Sequence, residues 1–397
     1  MRCSNRQFLF IVLIVGLVLM RESRLSPLNG VEADFANWLA INAPRQSEPA
    51  PLVLVQIADD DLRANPWPWS PVDYSLFLNA ALPFHPPVLA VEPVLDWQKP
   101  DPQQLSLLHN QLLRAPKVLL SGEFGFPEDP ALMPPRQEVP VIRHVEGDLS
   151  GLREFPVITA QPGEALRLAA TLGFAESPEG KTGRVHRVPL VFRYGGQVVP
   201  SFVLQAAMLW FGVTPEEVVV VPGSHIALGN DLRVPVDAAG SMLIDFTIPV
   251  IRFSLADLIL SAEQYQSGHQ AIAPVSRIKN SLTLLARTDT ASRTLPLANG
   301  RNGSRGELFA AALATLEHGS FIRRTGWQVD AILIFEGLIL AWFCSRFTKL
   351  GAAALCVGVF CVYMLCSLSL MAAWNLALPL VLPGSLLAFI VFYRQLD

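Results

Sequence analysis

Residues 52–97 read LVLVQIADDDLRANPWPWSPVDYSLFLNAALPFHPPVLAVEPVLDW, and this stretch decides the fold. Leu52 to Ile57 is a short, β-branched apolar run, the pattern of a buried strand. It breaks at Asp59-Asp60-Asp61 and at the loop Trp67-Pro68-Trp69. Ser70-Pro71-Val72-Asp73 then reads as a helix start: Ser70 caps, Pro71 suits the first helical position and Asp73 closes a capping box. Tyr74, Phe77, Leu78 and Ala81 follow at i, i+3, i+4 and i+7, one apolar helical face. Pro83 to Pro87 ends the helix, and Val88 to Val91 reads as a second buried strand. Strand, helix, strand at these lengths predicts a βαβ unit, a parallel pair joined by a right-handed crossover.

Further along, Asp101-Pro102 starts another helix with Leu105, Leu108 and Leu112 on one face, and Lys117 to Leu120 reads as a third strand. The result is a βαβαβ core in a mixed α/β domain. No G-x-G-x-x-G follows the first strand, which excludes the dinucleotide-binding reading. Residues 122–163 are rich in proline and charge and predict a long surface excursion. Val188 to Phe192 and Gln197 to Val199, split by Gly195-Gly196, predict a hairpin, and Ser201 opens a helix that Gly212 stops. A second hairpin is expected over 226–236, turning at residues 229–231, then a strand from Met242 to Phe246. Ser254 caps a helix to about Ser261, and Ser281 to Ala286 is a last sheet strand. Ser304 and Glu307 form another capping box, opening a helix that runs to His318 and stops at Gly319.

The 397-residue chain is 51% hydrophobic and only 16% charged, and the apolar excess sits at its two ends. Arg2 and Arg6 precede the apolar run Phe8 to Met20, and Arg21 and Arg24 follow it with no small-x-small cleavage site, which predicts an uncleaved signal anchor over residues 1–24. A polar connector follows, with a helical piece around Phe35 to Ile41. Three apolar blocks, Trp327 to Cys344, Leu350 to Trp374 and Leu376 to Tyr393, predict three more membrane helices within 327–397. Arg2, Arg6, Arg346, Lys349 and Arg394 then fall on one side, so that residues 25–326 form an extracytoplasmic domain. The expected protein crosses a membrane several times.

Cysteine and charge exclude whole classes. Cys3, Cys344, Cys356, Cys361 and Cys366 all lie in or beside the terminal apolar runs, so no disulfide framework or zinc-ligand spacing arises in the domain between. A net charge of −4 and the lack of a basic stripe give no sign of a nucleic-acid partner. The histidines are dispersed, with no H-E-x-x-H or G-x-S-x-G context, so no catalytic residue, metal or cofactor is expected and the chain does not read as an enzyme. Five residues remain as ligand-binding candidates. Asp59 and Asp61 follow the first strand, at the end where open α/β sheets place ligands; the alternative is a solvated turn with one helix-directed acid. Trp67 and Trp69 could line a pocket or a dimer face, or plug the core. Arg187, beside a strand with Arg184 and His186, could meet an anion or pair with Glu92 or Asp96. The block Trp327 to Cys344 holds two acids, Asp330 and Glu336, and Glu336, well inside it, is expected at a buried helix–helix contact.

The order LVLVQIADDDL, WPWSPVDYSLFLNAAL, VLAVEPVLDW resembles the opening of the CHASE2 family, extracytoplasmic sensory modules of bacterial membrane signalling proteins. The resemblance continues at Gly173-Phe174, at Val185 to Tyr194, at Pro200-Ser201 and at Phe253 to Leu260, and ends faintly over 306–321. The family usually carries an acid where this chain has Ala58, an Arg where it has Pro71 and an Asp where it has Glu92. The resemblance implies a sensory input protein of the bacterial inner membrane, with several passes and its main domain extracytoplasmic. Because the sequence stops at Asp397, the expected mechanism is relay through the membrane helices to a separate membrane-bound signalling protein of kinase or cyclase type, with a homodimer as a further expectation. The alternative is a structural or docking subunit of a bacterial envelope complex.

Overall fold

The computed structural model describes residues 13–14, 28–44, 48–127, 137–176, 184–229, 232–269 and 275–396. The chain divides into two compact units, Ser47–Phe321 and a second made of Met1–Gln46 with Ile322–Asp397.

The first unit is built on a mostly parallel sheet. Its strands, numbered in chain order, are β1 (Leu52–Ile57), β2 (Val88–Val94), β3 (Val118–Gly125), β4 (Val157–Ala160), β5 (Thr171–Glu176), β6 (Ile251–Ser254) and β7 (Leu282–Arg287). The spatial order is β6-β1-β7-β2-β3-β4, with β5 also pairing β3, and only the β3–β4 pairing is antiparallel. All six residues of β1 are apolar or half-buried because the sheet is covered on both faces, as parallel sheets are. Leu52 and Leu54 face one apolar cluster while Val53, Val55 and Ile57 face the other. The period-2 alternation thus serves two cores at once.

Helix α2 (Asp59–Ala64) follows β1, then α3 (Pro71–Ala81) and, after β2, α4 (Pro102–Leu112). The capping box that opens α3 forms as expected: Ser70 N donates to Asp73 Oδ2 at 2.7 Å. Phe77 and Leu78 of α3, with Leu108 and Leu112 of α4, pack on Val53, Val55, Leu89 and Leu120. Helices α5 (Glu164–Ala169), α6 (Phe202–Phe211), α7 (Leu255–Gln266) and α8 (Arg305–His318) complete the unit. Helices α6 and α8 cover the opposite face, where Phe309, Ala310 and Leu313 meet Leu54, Ala90 and Leu284. Gly306 brings α8 hard against β7, since a Cβ there would run into that of Ala286.

The first βαβ unit differs from expectation. Strands β1 and β2 are parallel but are not neighbours, because β7 lies between them and pairs with both. The reason is burial: residues 282–286 of β7 are at most 1% exposed, so this strand takes the centre of the sheet rather than an edge. Asp59 to Asp61, with one helix-directed acid expected among them, all lie in the first turn of α2, where acidic side chains favour the positive end of the helix. The Gly195-Gly196 hairpin forms between Val191–Tyr194 and Gln197–Pro200; φ of 57° and 77° at the two glycines is the pair that a type I′ turn requires. In the second expected hairpin, His225–Leu228 pairs with Leu232–Pro235, and turn residues 230–231 lie outside the described residues.

Near the end of α8, Glu317 has a buried Oε1 with no hydrogen-bond partner among the described residues. Burial pushes its carboxyl up from 4.5 to about 7. The folded protein therefore holds this proton more tightly than the unfolded chain does. That contribution is complete below about pH 4.5 and is lost as pH rises through about 7. Glu317→Gln is accordingly expected to raise the melting temperature at pH 8 and to leave it nearly unchanged at pH 4.5. Equal shifts at both pH values would contradict this reading.

The second unit contains α1 (Leu28–Asn42), α9 (Trp327–Cys344), α10 (Lys349–Trp374) and α11 (Val381–Leu396). Helices α9 and α10 are each long and apolar enough to cross a membrane. The third block is shorter than expected. Its first residues, Leu376–Ala377, pair with Arg323–Arg324 as a short ladder, which leaves α11 with 16 residues. The side chain of Glu32 accepts from Leu380 N at 2.9 Å and Val381 N at 2.7 Å, capping α11 with a carboxylate. The expected N-terminal anchor, Phe8 to Met20, lies outside the described residues apart from Leu13 and Ile14, which are helical.

Candidate functional site

The carboxyl ends of β7, β2 and β3 converge on a cavity of about 350 Å³ in the first unit. Trp67, Glu92, Glu123, Arg287 and Arg305 line it, and Ser292, Thr294 and Ser304 bring hydroxyls to its wall. Each charged group arrives at or near the end of a regular element. Glu92 and Glu123 each stand two residues before the ends of β2 and β3, Arg287 is the last residue of β7, and Arg305 is the first of α8. Open parallel sheets present ligands at this end of the strands.

Arg305 is the centre of the charged cluster. Its Nε donates to Glu92 Oε1 at 2.5 Å, and its Nη1 donates to Glu123 Oε1. Its side chain is 14% exposed and that of Glu92 6%. Burial works against the Arg305 charge, but the two carboxylates more than offset this and raise its pKa. Arg287 binds Asp289 through two parallel bonds, Nε to Oδ1 at 3.0 Å and Nη2 to Oδ2 at 2.9 Å. Burial alone would raise the Asp289 carboxyl, yet the Arg287 fork and the nearby Ser292 hold it below the usual carboxylate range. The Arg287 guanidinium lies 4.2 Å from the centroid of Trp67, a cation–π stack that fixes both groups at the cavity wall.

The two tryptophans divide the roles expected of them. Trp67 is half-buried and lines the cavity. Trp69 is 3% exposed and serves the core, its Nε1 donating to Asn65 O and its ring meeting Tyr74 edge-on at 5.7 Å. Trp97 ties the loop down by donating from Nε1 to Trp69 O at 2.8 Å. The position of Trp67 therefore rests on a buried aromatic scaffold.

Asp59 and Asp61 do not line this cavity. Asp59 accepts from Thr290 Oγ1 at 2.6 Å and Thr290 N at 2.9 Å, bonds that hold its carboxyl below its ordinary value. Asp61 accepts from Ala58 N at 2.8 Å and Ala256 N at 3.3 Å, capping α2 and the start of α7 together. Burial outweighs those bonds and raises its pKa. Both acids are turn and helix caps joining segments some 200 residues apart.

Arg187 is also placed elsewhere. It pairs with Asp237, beside the short ladder of Arg187–Pro189 with Ser241–Leu243, and the cation that meets Glu92 is Arg305. Glu336, expected at a buried helix contact, is exposed along a groove of about 320 Å³ in the second unit, with Leu340, Tyr363 and Leu386 among its walls. The buried acid of α9 is Asp330, 5% exposed.

The residues missed by sequence reading are Arg287, Arg305 and Glu123. One signal was present: a charged residue directly ending a buried apolar strand, as Arg287 ends β7 and Glu92 interrupts β2. Arg305 had no such mark beyond its place inside a capping box.

No curated protein and no solved structure matches the chain. The family model of the CHASE2 domain matches residues 10–348, across both units and the whole of the strand-end cavity. The chain belongs to the CHASE2 family of sensory domains.

Proposed function

We propose that this protein is a membrane-anchored sensory input protein. Its strand-end cavity takes a small ligand, and its membrane helices relay the ligand state to a membrane-bound signalling partner of kinase or cyclase type. The extracytoplasmic domain faces the outside of a bacterial inner membrane, and the input it provides is not catalytic. The observation that carries this reading is the cavity itself, where Trp67, Arg287 and Arg305 stand over the carboxyl ends of a parallel sheet in a sensory-domain family. A ligand there acts only by binding two states of the protein unequally. The charged cluster supports that reading, because Arg305 bonds Glu92 and Glu123 and so links β2, β3 and α8, and a charged ligand would compete for those bonds.

The test is purification of the tagged full-length protein from native membranes in mild detergent, followed by identification of what accompanies it. A kinase, cyclase or similar signalling protein is expected. Stoichiometric recovery of a transport or envelope-assembly complex would contradict the sensor and favour a structural subunit.

A further inference from the structure

The lining of the cavity restricts what it can hold. Two carboxylates, Glu92 and Glu123, and two guanidinium groups, Arg287 and Arg305, face one space of about 350 Å³. That volume is at the small end of the roughly 300–1,000 Å³ usual for ligand sites. Among the described residues, the bonds of Arg305 to the two glutamates and of Arg287 to Asp289 engage two of the five N–H donors on each guanidinium. Glu92 and Glu123 each give one oxygen to Arg305, which leaves the second oxygen of each as an acceptor.

Such a wall penalises a ligand of single charge. An anion meeting the guanidinium donors would lie beside two carboxylates, and a cation meeting the carboxylates would lie beside two guanidinium groups. An apolar ligand would strip water from four charged groups and replace none of their hydrogen bonds. A molecule with both charges satisfies both halves at once.

Resting on the sensor reading above, we propose that the cavity binds a compact zwitterion of the free amino-acid class. Its ammonium group is held by Glu92 and Glu123, and its carboxylate by Arg287 with the hydroxyl of Thr294, since the Ser292 hydroxyl donates to Asp289 O at 2.8 Å. Trp67 sets the side wall and, through its stack on Arg287, holds a guanidinium group whose fork to Asp289 leaves three N–H donors for the carboxylate. Ser304, 1% exposed, accepts from Glu307 N at 3.1 Å through its Oγ and so serves the start of α8.

The proposal is tested by calorimetric titration of the detergent-purified full-length protein with the free L-amino acids. Each ligand found is then compared with its N-acetyl derivative, which lacks the ammonium, and its carboxamide, which lacks the carboxylate. At least one free amino acid is expected to bind, and each derivative is expected to bind about 10- to 150-fold more weakly, the loss of a hydrogen bond between charged groups. In Glu123→Gln the preference for the free amine over the N-acetyl form should shrink. The comparison of derivatives on the unaltered protein stands even where that variant does not fold. Equal binding of the N-acetyl form or of the carboxamide overturns the proposal, as does the lack of binding by every free amino acid at millimolar concentration. An acid bound without regard to its amine would remove the zwitterion while leaving a ligand-binding sensor in place. The sensor reading itself falls on the identity of the co-purified partner.

Discussion

Arg305→Met is expected to lower the stability of the sheet-containing unit by about 3–5 kcal/mol, the cost of leaving buried charges without their partner. Glu92 and Glu123 both bond to this one guanidinium, and the Glu92 side chain is only 6% exposed. At roughly 2–4 °C per kcal/mol for a domain of this size, the melting temperature should fall by about 10 °C. Arg305→Lys should fall between the two, since a lysine keeps the charge and loses the planar fork. The mechanism is checked by the triple variant in which Arg305→Met is combined with Glu92→Gln and Glu123→Gln. Removing both carboxylate charges should restore most of the lost stability, because the penalty lies in the unpaired anions rather than in the missing side chain. Thermal denaturation of the three proteins decides the matter. An Arg305→Met variant within about 1 kcal/mol of the parent would show that water reaches the cluster and screens it.

Phe124→Ala should cost a similar amount, about 3–5 kcal/mol, for a different reason. Phe124 is fully buried at the end of β3. Its ring stacks on Phe174 at 4.3 Å, on Tyr194 at 5.3 Å and on Phe155 at 5.6 Å, and meets Phe192 edge-on at 5.8 Å. Deleting it opens a hole among four rings held by three different strands, so collapse around the gap is restricted. Phe124→Leu fills most of the space and should cost less than about 1.5 kcal/mol. Chemical denaturation with matched slopes measures both. Because Phe124 adjoins Glu123, the alanine variant should also weaken ligand binding, whereas the leucine variant should not.

Local structure was legible because it is written in short-range chemistry. The run Leu52 to Ile57 is a buried strand, and Ser70 with Asp73 closes a capping box that any reader of four residues can find. Ser304 and Glu307 do the same for α8, and Gly212 and Gly319 end their helices with positive φ. The sheet order was not legible. Ile57 pairs with Arg287 across the chain, and nothing in either segment says that β7 enters between β1 and β2. Burial of β7 on both faces could have hinted at a central place, but an apolar run of six residues is equally at home beside an edge.

The site was half legible for the same reason. Trp67 and Glu92 stood out within one stretch, and both line the cavity. The residues that give them chemical meaning come from distant segments, Arg287 from β7 and Arg305 from the helix after it. Asp59 and Asp61 stood out just as strongly as acids after a strand, yet Thr290 and Ala256, far along the chain, engage them as caps. An acid at a strand end is thus a site residue or a cap according to what the fold places opposite it. Arg187 illustrates the converse, a cation beside a strand whose partner, Asp237, lies in a turn that carried no signal of its own.

The most direct test of the account is a thermal-shift survey of the full-length protein against a fractionated extract of small polar metabolites, run in parallel on Trp67→Ala. The account predicts a fraction that raises the melting temperature of the parent by several degrees, as saturation at about 100 times Kd contributes about 2.7 kcal/mol. The same fraction should leave Trp67→Ala unmoved. A fraction that stabilises both proteins equally, or a survey in which none stabilises the parent, would contradict the assignment of the strand-end cavity as the sensory site.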